Sequence, residues 1–147
     1  MVDYIHCDVE NIDACLEEIL GEYARICSKQ MAKGIDKTMR DMTRQTRKTA
    51  PTEDGKWTPT FPNHNRGEAF KKHIAWKSRG YGMSHTATWY VKSPEHRLTH
   101  LLVHGHEQFV FGRPTGKRSK AMPFLVDARD KAEEDLVPNI IKEIEKG

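Results

Sequence analysis

The sequence predicts an α+β domain: a long N-terminal helix and a C-terminal helix on a small antiparallel β-sheet, with a short histidine-rich helix beside it. Three observations carry that expectation. Apolar residues between Ile12 and Met42 advance mostly by threes and fours, as on a helix. The stretch from Gly67 to Val91 turns to alternating, aromatic and threonine-rich runs broken by Ser78-Arg79-Gly80. A second helical stripe then closes the chain between Phe124 and Ile144. At 147 residues the default is one domain with room for one modest core.

The first element is expected over residues 8–48. Ile12, Leu16, Ile19, Tyr23, Ile26, Met31, Ile35, Met39 and Met42 form its apolar stripe. Gly21 and Gly34 each cost about 1 kcal/mol relative to alanine, so either is a place where the helix can bend. Ala50-Pro51 ends the helix, because proline disfavours helical backbone in the residue before it. Charge along this helix is segregated. Asp8, Glu10, Asp13, Glu17, Glu18 and Glu22 load the first half, whereas Lys29, Lys33, Lys37, Arg40, Arg44, Arg47 and Lys48 load the second. That order complements the helix dipole at both ends. Lys33, Lys37, Arg40, Arg44 and Arg47 step by four and three into a basic stripe. It reads as a solvated face, as a surface for phosphates or an acidic ring partner, or as one half of a head-to-tail contact between subunits.

Residues 51–66 read as a loop punctuated by Pro51, Pro59, Pro62 and Gly55, with Trp57 and Phe61 as its large apolar anchors. Residues 67–111 are expected to hold the sheet, with strands over Phe70–Lys77, within Tyr81–Val91 and over Gln108–Phe111. Between the last two, residues 94–104 should be helical, with Ser93 as N-cap, Pro94 in the first position and Gly105 as the stop. Residues 112–120 form a loop with four basic residues and no acidic ones. Its Gly116-Lys117 resembles a phosphate loop only superficially, because Gly112 is one residue too close and Arg118 replaces the required Ser/Thr. The final helix, over 123–146, carries Phe124 or Leu125, Ala128, Ala132, Leu136, Ile140 and Ile144 on one side, and Pro138 should kink or divide it.

The densest chemistry lies at His96, His100, His104 and His106. The first three recur every four residues, which stacks them on one helical face and suits a zinc site. The general base of a zinc protease is missing, since Leu101 follows His100, and no Asp, Glu or Cys stands between His96 and His106. The structural reading therefore outweighs the metal one. A zinc-dependent hydrolase on these four histidines remains the enzyme alternative, and a nucleic-acid-binding module on the basic stripe is the second.

The segment Arg97-Leu98-Thr99-His100-Leu101-Leu102, its His104-Gly105-His106 turn, the basic loop and Ala121-Met122-Pro123-Phe124-Leu125 together resemble a known family. It is that of the tail-completion, or head–tail joining, proteins of the neck and minor tail of long-tailed double-stranded DNA bacteriophages. Lys48-Thr49-Ala50-Pro51 and Arg66-Gly67-Glu68-Ala69-Phe70-Lys71 are similar to the same family, so the likeness touches most of the chain from residue 48 onward. Two positions depart from it: Val103 stands where the family often has glutamate, and aromatic Glu107–Phe111 replaces a glycine run.

The resemblance implies a structural virion protein, assembled in the host cytoplasm and built into the neck or tail. It implies no catalysis and no cofactor. Its partners would be other copies of itself in a closed ring, with a hexamer expected, the neighbouring connector and tail proteins, and genomic DNA near the channel. Phe109, Phe111, Arg113, Lys117, Arg118 and Lys120 are the expected contacts to an adjacent ring, and Lys33, Lys37, Arg40 and Arg44 a second candidate interface.

Composition agrees with such a part. Only 37% of residues are hydrophobic and 31% are charged, polar for a self-sufficient globule, and the net charge of +3 demands no nucleic acid. Cys15 and Cys27 stand ~18 Å apart on one helix, too far to bridge each other. With no Cys-x-x-Cys spacing, Cys7, Cys15 and Cys27 read as free thiols of a reducing cytoplasm. No signal peptide or membrane-length apolar run is found, so neither secretion nor membrane insertion is expected.

Overall fold

A computed structural model describes residues 9–50 and 66–147 and shows the expected α+β architecture. After a single 3₁₀ turn, helix α1 runs over Ile12–Thr49; α2 (Arg66–His73), β1 (Ile74–Arg79), β2 (Thr86–Val91), α3 (His96–His104), β3 (Glu107–Val110), β4 (Arg113–Arg118) and α4 (Phe124–Glu145) follow. The strands form two separate antiparallel hairpins, β1–β2 and β3–β4, instead of one sheet. The loop reading of 51–65, with Trp57 and Phe61, lies outside the described residues.

α1 and α4 form the most extensive contact between elements and run antiparallel: Gly34 meets Ile140, and the turns around Met42 and Gln45 meet those around Ala128 and Asp135. A β-carbon on Gly34 would lie 2.7 Å from the Ile140 α-carbon. Gly34 is thus the point where two backbones approach closely, within a helix that runs on without a break. A polar clasp locks the same level. Lys37 Nζ donates to Asn139 Oδ1 at 2.7 Å, Asn139 Nδ2 donates to Thr38 Oγ1 at 2.9 Å, and Thr38 Oγ1 donates to the Gly34 carbonyl at 2.9 Å.

The β1–β2 hairpin flanks α1 on another side. Arg47 donates through Nε and Nη2 to the Ile74 carbonyl at 3.2 and 2.6 Å, and His85 Nε2 lies 2.8 Å from Asp36 Oδ1. These two contacts tie the hairpin's base and tip to opposite ends of the same helical stretch. Beneath them, Ala50, Phe70, Ile74, Val91, Leu102 and Phe124 make the core, with Phe70 and Phe124 edge to face at 6.0 Å. Few residues are deeply buried, as the polar composition suggests.

Several boundaries differ from those expected. Phe70–His73 is helical, not the start of a strand: Glu68, Ala69, Lys71 and Lys72 favour helix, and the strand begins only at Ile74, whose side chain joins Phe70 in the core. The stretch 112–120 is largely strand β4 of a hairpin, because Phe111 and Gly112 both take positive φ (50° and 75°) and reverse the chain. Helix α3 starts at His96 with Glu95 as cap, and Ser93 and Pro94 lie in the turn before it. Gly105 ends it as expected, at φ 71°. Pro138 sits inside a helix that continues unbroken to Glu145. Cys27 is a free thiol, whereas Cys15 is disulfide-bonded. The separation along the helix had excluded only a Cys15–Cys27 bridge.

Replacing Gly34 with alanine should force α1 and α4 apart and lower stability by about 1–3 kcal/mol, read from thermal or denaturant unfolding. Gly21→Ala, where an added β-carbon meets nothing within 4 Å, should leave stability unchanged or raise it by up to about 1 kcal/mol.

Candidate functional site

Three surfaces hold the residues singled out from sequence, and they differ in what they can do. The first is the histidine face of α3. Leu98, Leu102 and Val103 turn toward the core, which leaves His96, His100, His104 and His106 exposed. His106 Nδ1 lies 2.9 Å from Ser119 Oγ, and the His106 backbone N–H donates to the same oxygen. The adjacent backbones are joined as well, by Ser119 N–H to the His106 carbonyl and Met122 N–H to the Leu102 carbonyl, both at 2.8 Å. A β-carbon on Gly105 would come within 2.5 Å of the Ser119 carbonyl oxygen. Among the described residues, no group of three or more His, Cys, Asp or Glu side chains is arranged to hold a metal ion.

The second surface is the β3–β4 hairpin. Phe109, Val110 and Phe111 are exposed along it, Phe111 completely, and Arg113, Lys117, Arg118 and Lys120 are exposed too. Thr115 Oγ1 donates to the Gln108 carbonyl across the strands at 3.0 Å and braces the turn. The hairpin springs from Gly105 and Ser119, close to where α4 begins. It presents aromatic and cationic groups together, the combination enriched at protein interfaces.

The third surface is α1, and the structure divides its basic stripe. Lys33 and Lys37 belong to α4: Lys37 holds Asn139, and both lie near Glu143. Lys146, donating to the Glu143 carboxylate, is the main cause that lowers its pKa from the ordinary value, and Lys33 and Lys37 add to the effect. Arg40 and Arg44 instead join Arg47, Lys48, Ala75 and Trp76 around an open groove of about 520 Å³ between α1 and β1. Arg44 also pairs with the exposed Asp41 at 3.2 Å, a contact of small energetic weight.

The other half of α1 is the acidic one, which the sequence offered as one side of a head-to-tail contact between subunits. Because α4 ends at Glu145, roughly level with the turn before Gly34, and the β1–β2 tip shares a pocket with Arg25 and Ile26 at its farthest reach, nothing described covers residues 12–24. This arm is ~20 Å long at about 1.5 Å per residue. Ile12, Leu16, Ile19 and Tyr23 along it, and Ile26 just beyond it, remain between 41 and 65% exposed. Their spacing of four, three, four and three is that of a coiled-coil seam. Five helical turns separate Leu16 from Gly34, so the seam faces the side that α4 covers farther along. The sequence held this signal, but only the end of α4 reveals that the stripe has no partner within the described chain.

No protein-family model, no curated protein and no solved structure matches this chain. Among the described residues, no helix is long and apolar enough to cross a membrane.

Arg47 has a structural duty within the groove. Arg47→Met should cost about 1–3 kcal/mol in unfolding measurements, because the Ile74 carbonyl loses both its side-chain donors. Arg40→Ser should cost less than about 0.5 kcal/mol, as an exposed change away from any such partner.

Proposed function

We propose that this chain is a structural subunit of a bacteriophage neck or tail, which assembles into a ring and joins tail to head. The observation that carries the assembly part is the exposed seam of α1: a helix does not normally hold five large apolar side chains in heptad register against water. A second surface of the same kind, the aromatic hairpin tip, stands where α4 begins, while the arm projects beyond where α4 ends. Surfaces at the two ends of one helix suit a subunit that contacts neighbours within a ring by one end and an adjacent ring by the other.

The phage assignment rests on the resemblance of Arg97–His106 and Ala121–Leu125. Its support in the fold is that these two segments pack and hydrogen-bond against each other as one unit. The motif's apolar residues then serve the core and its histidines serve turns and surface, with no chemistry required of them. The ring would reside in the virion, with connector and tail proteins above and below it and genomic DNA passing through its channel. The cationic groove is the one feature that favours the nucleic-acid reading.

Light scattering with elemental analysis of the same purified peak tests this reading. A metal-free ring, or a metal-free monomer that forms rings only on phage heads or tails, is the expected result. One zinc per chain, lost in His100→Ala, would overturn it in favour of a zinc-dependent hydrolase. In a head–tail joining assay, replacing Arg113, Lys117, Arg118 and Lys120 with serine should block joining while the melting temperature stays within about 2–4 °C, the shift expected from ~1 kcal/mol or less. Undiminished joining would remove the hairpin from the interface.

A further inference from the structure

We propose that the acidic arm of α1 docks in the cationic groove beside β1 of a second copy of this chain, so that identical subunits join head to tail. The inference rests on the assembly reading above and names the contact that holds one subunit to the next.

Charge and geometry select this pairing. Between Glu10 and Glu22 the helix carries Asp13, Glu17 and Glu18 as well, and no Lys or Arg. The groove carries Arg40, Arg44, Arg47 and Lys48. On both surfaces the charges recur one helical turn apart, as Asp13–Glu17 and Glu18–Glu22 on the arm and Arg40–Arg44–Lys48 at the groove. Asp13–Glu17 and Glu18–Glu22 lie on opposite flanks of the apolar seam at about 100° per residue, so a helix laid with its seam in the groove brings carboxylates to both margins of it. The two surfaces stand on one rod, with Glu17 and Arg44 ~40 Å apart at about 1.5 Å per residue. No chain can bring its own arm to its own groove, so the complement must come from another copy.

Other occupants satisfy less of the structure. Two arms packed on each other would bring Asp13 and Glu22, which border the seam, against further acidic residues. The exposed stripe Val137, Ile141 and Ile144 on α4 is flanked by Glu134 and Glu145, and repels the arm in the same way. A nucleic acid would fill the groove with phosphates and leave the apolar seam in water. The second copy covers both: Trp76, Ala75 and the aliphatic stems of the arginines receive the seam while their charged heads meet the carboxylates. Because donor and receiver are different surfaces, the contact is heterologous, the kind that builds a ring when its rotation closes.

Mass measurement by light scattering on the full chain tests this with two variants, E17K/E18K/E22K and R40E/R44E. All five positions are exposed, so circular dichroism should be unchanged in both. Each variant alone should fall to the 17.0 kDa monomer. Mixing the two should restore the assembly, since the reversed arm of one then fits the reversed groove of the other. The wild-type ring should also dissociate at 1 M salt, where charges are screened beyond about 3 Å. A ring indifferent to both reversals overturns the arm–groove contact and leaves the assembly reading standing. A wild type that is monomeric alone and on purified heads and tails overturns both. Unchanged mass with DNA binding lost in R40E/R44E assigns the groove to nucleic acid and overturns the proposal.

Discussion

The close approach of Gly34 to Ile140 sets where everything else in this molecule lies. A helix of 38 residues has no intrinsic reason to stop being covered at one point along its length. The antiparallel register with α4 decides it, and that register is pinned where a glycine lets two backbones meet and Lys37, Asn139 and Thr38 close a polar clasp. From this level toward Thr49, α1 is held between α4 and the β1–β2 hairpin. In the other direction it is an arm.

The same constraint sorts the charges. Lys37 falls at the clasp and bonds to α4, with Lys33 near enough to act on Glu143, so a stripe that is continuous on a helical wheel becomes two surfaces with different duties. Arg47 is partly committed as well, since its guanidinium satisfies the buried end of β1. What remains for a partner is the exposed pair Arg40 and Arg44, with Lys48, above an aromatic wall. Removing Arg47 would therefore report on folding, whereas in the proposed arm–groove contact changes at Arg40 and Arg44 would report on association.

The histidine segment illustrates how one pattern serves two readings until its surroundings are known. Spacing of four residues places imidazoles in line, which metal sites require, but it also places Leu98 and Leu102 in line on the opposite side. The core takes the leucines. His106 then spends its ring nitrogen on Ser119 and helps fasten the base of the β3–β4 hairpin to the end of α3. The aromatic and basic tip thus projects from a fixed base.

Sequence periodicity alone determined the two long helices, the helix stop at Gly105 and the α+β class, because these depend on local spacing and on the backbone freedom of glycine. It failed where one pattern permits two structures. A spacing of four between Phe70, in α2, and Ile74, which opens β1, fits a helical turn and an alternating strand equally, and only the core they enter chooses. The run from Phe109 to Arg118 became a hairpin because Phe111 accepts a positive φ beside Gly112, a choice no propensity favours. The candidate interface was legible as charge segregation along α1, since that is a property of the chain's order. Which apolar side chains of α1 stay in water was decided by tertiary structure alone, because burial depends on where a distant helix ends, and α4 ends before it reaches them.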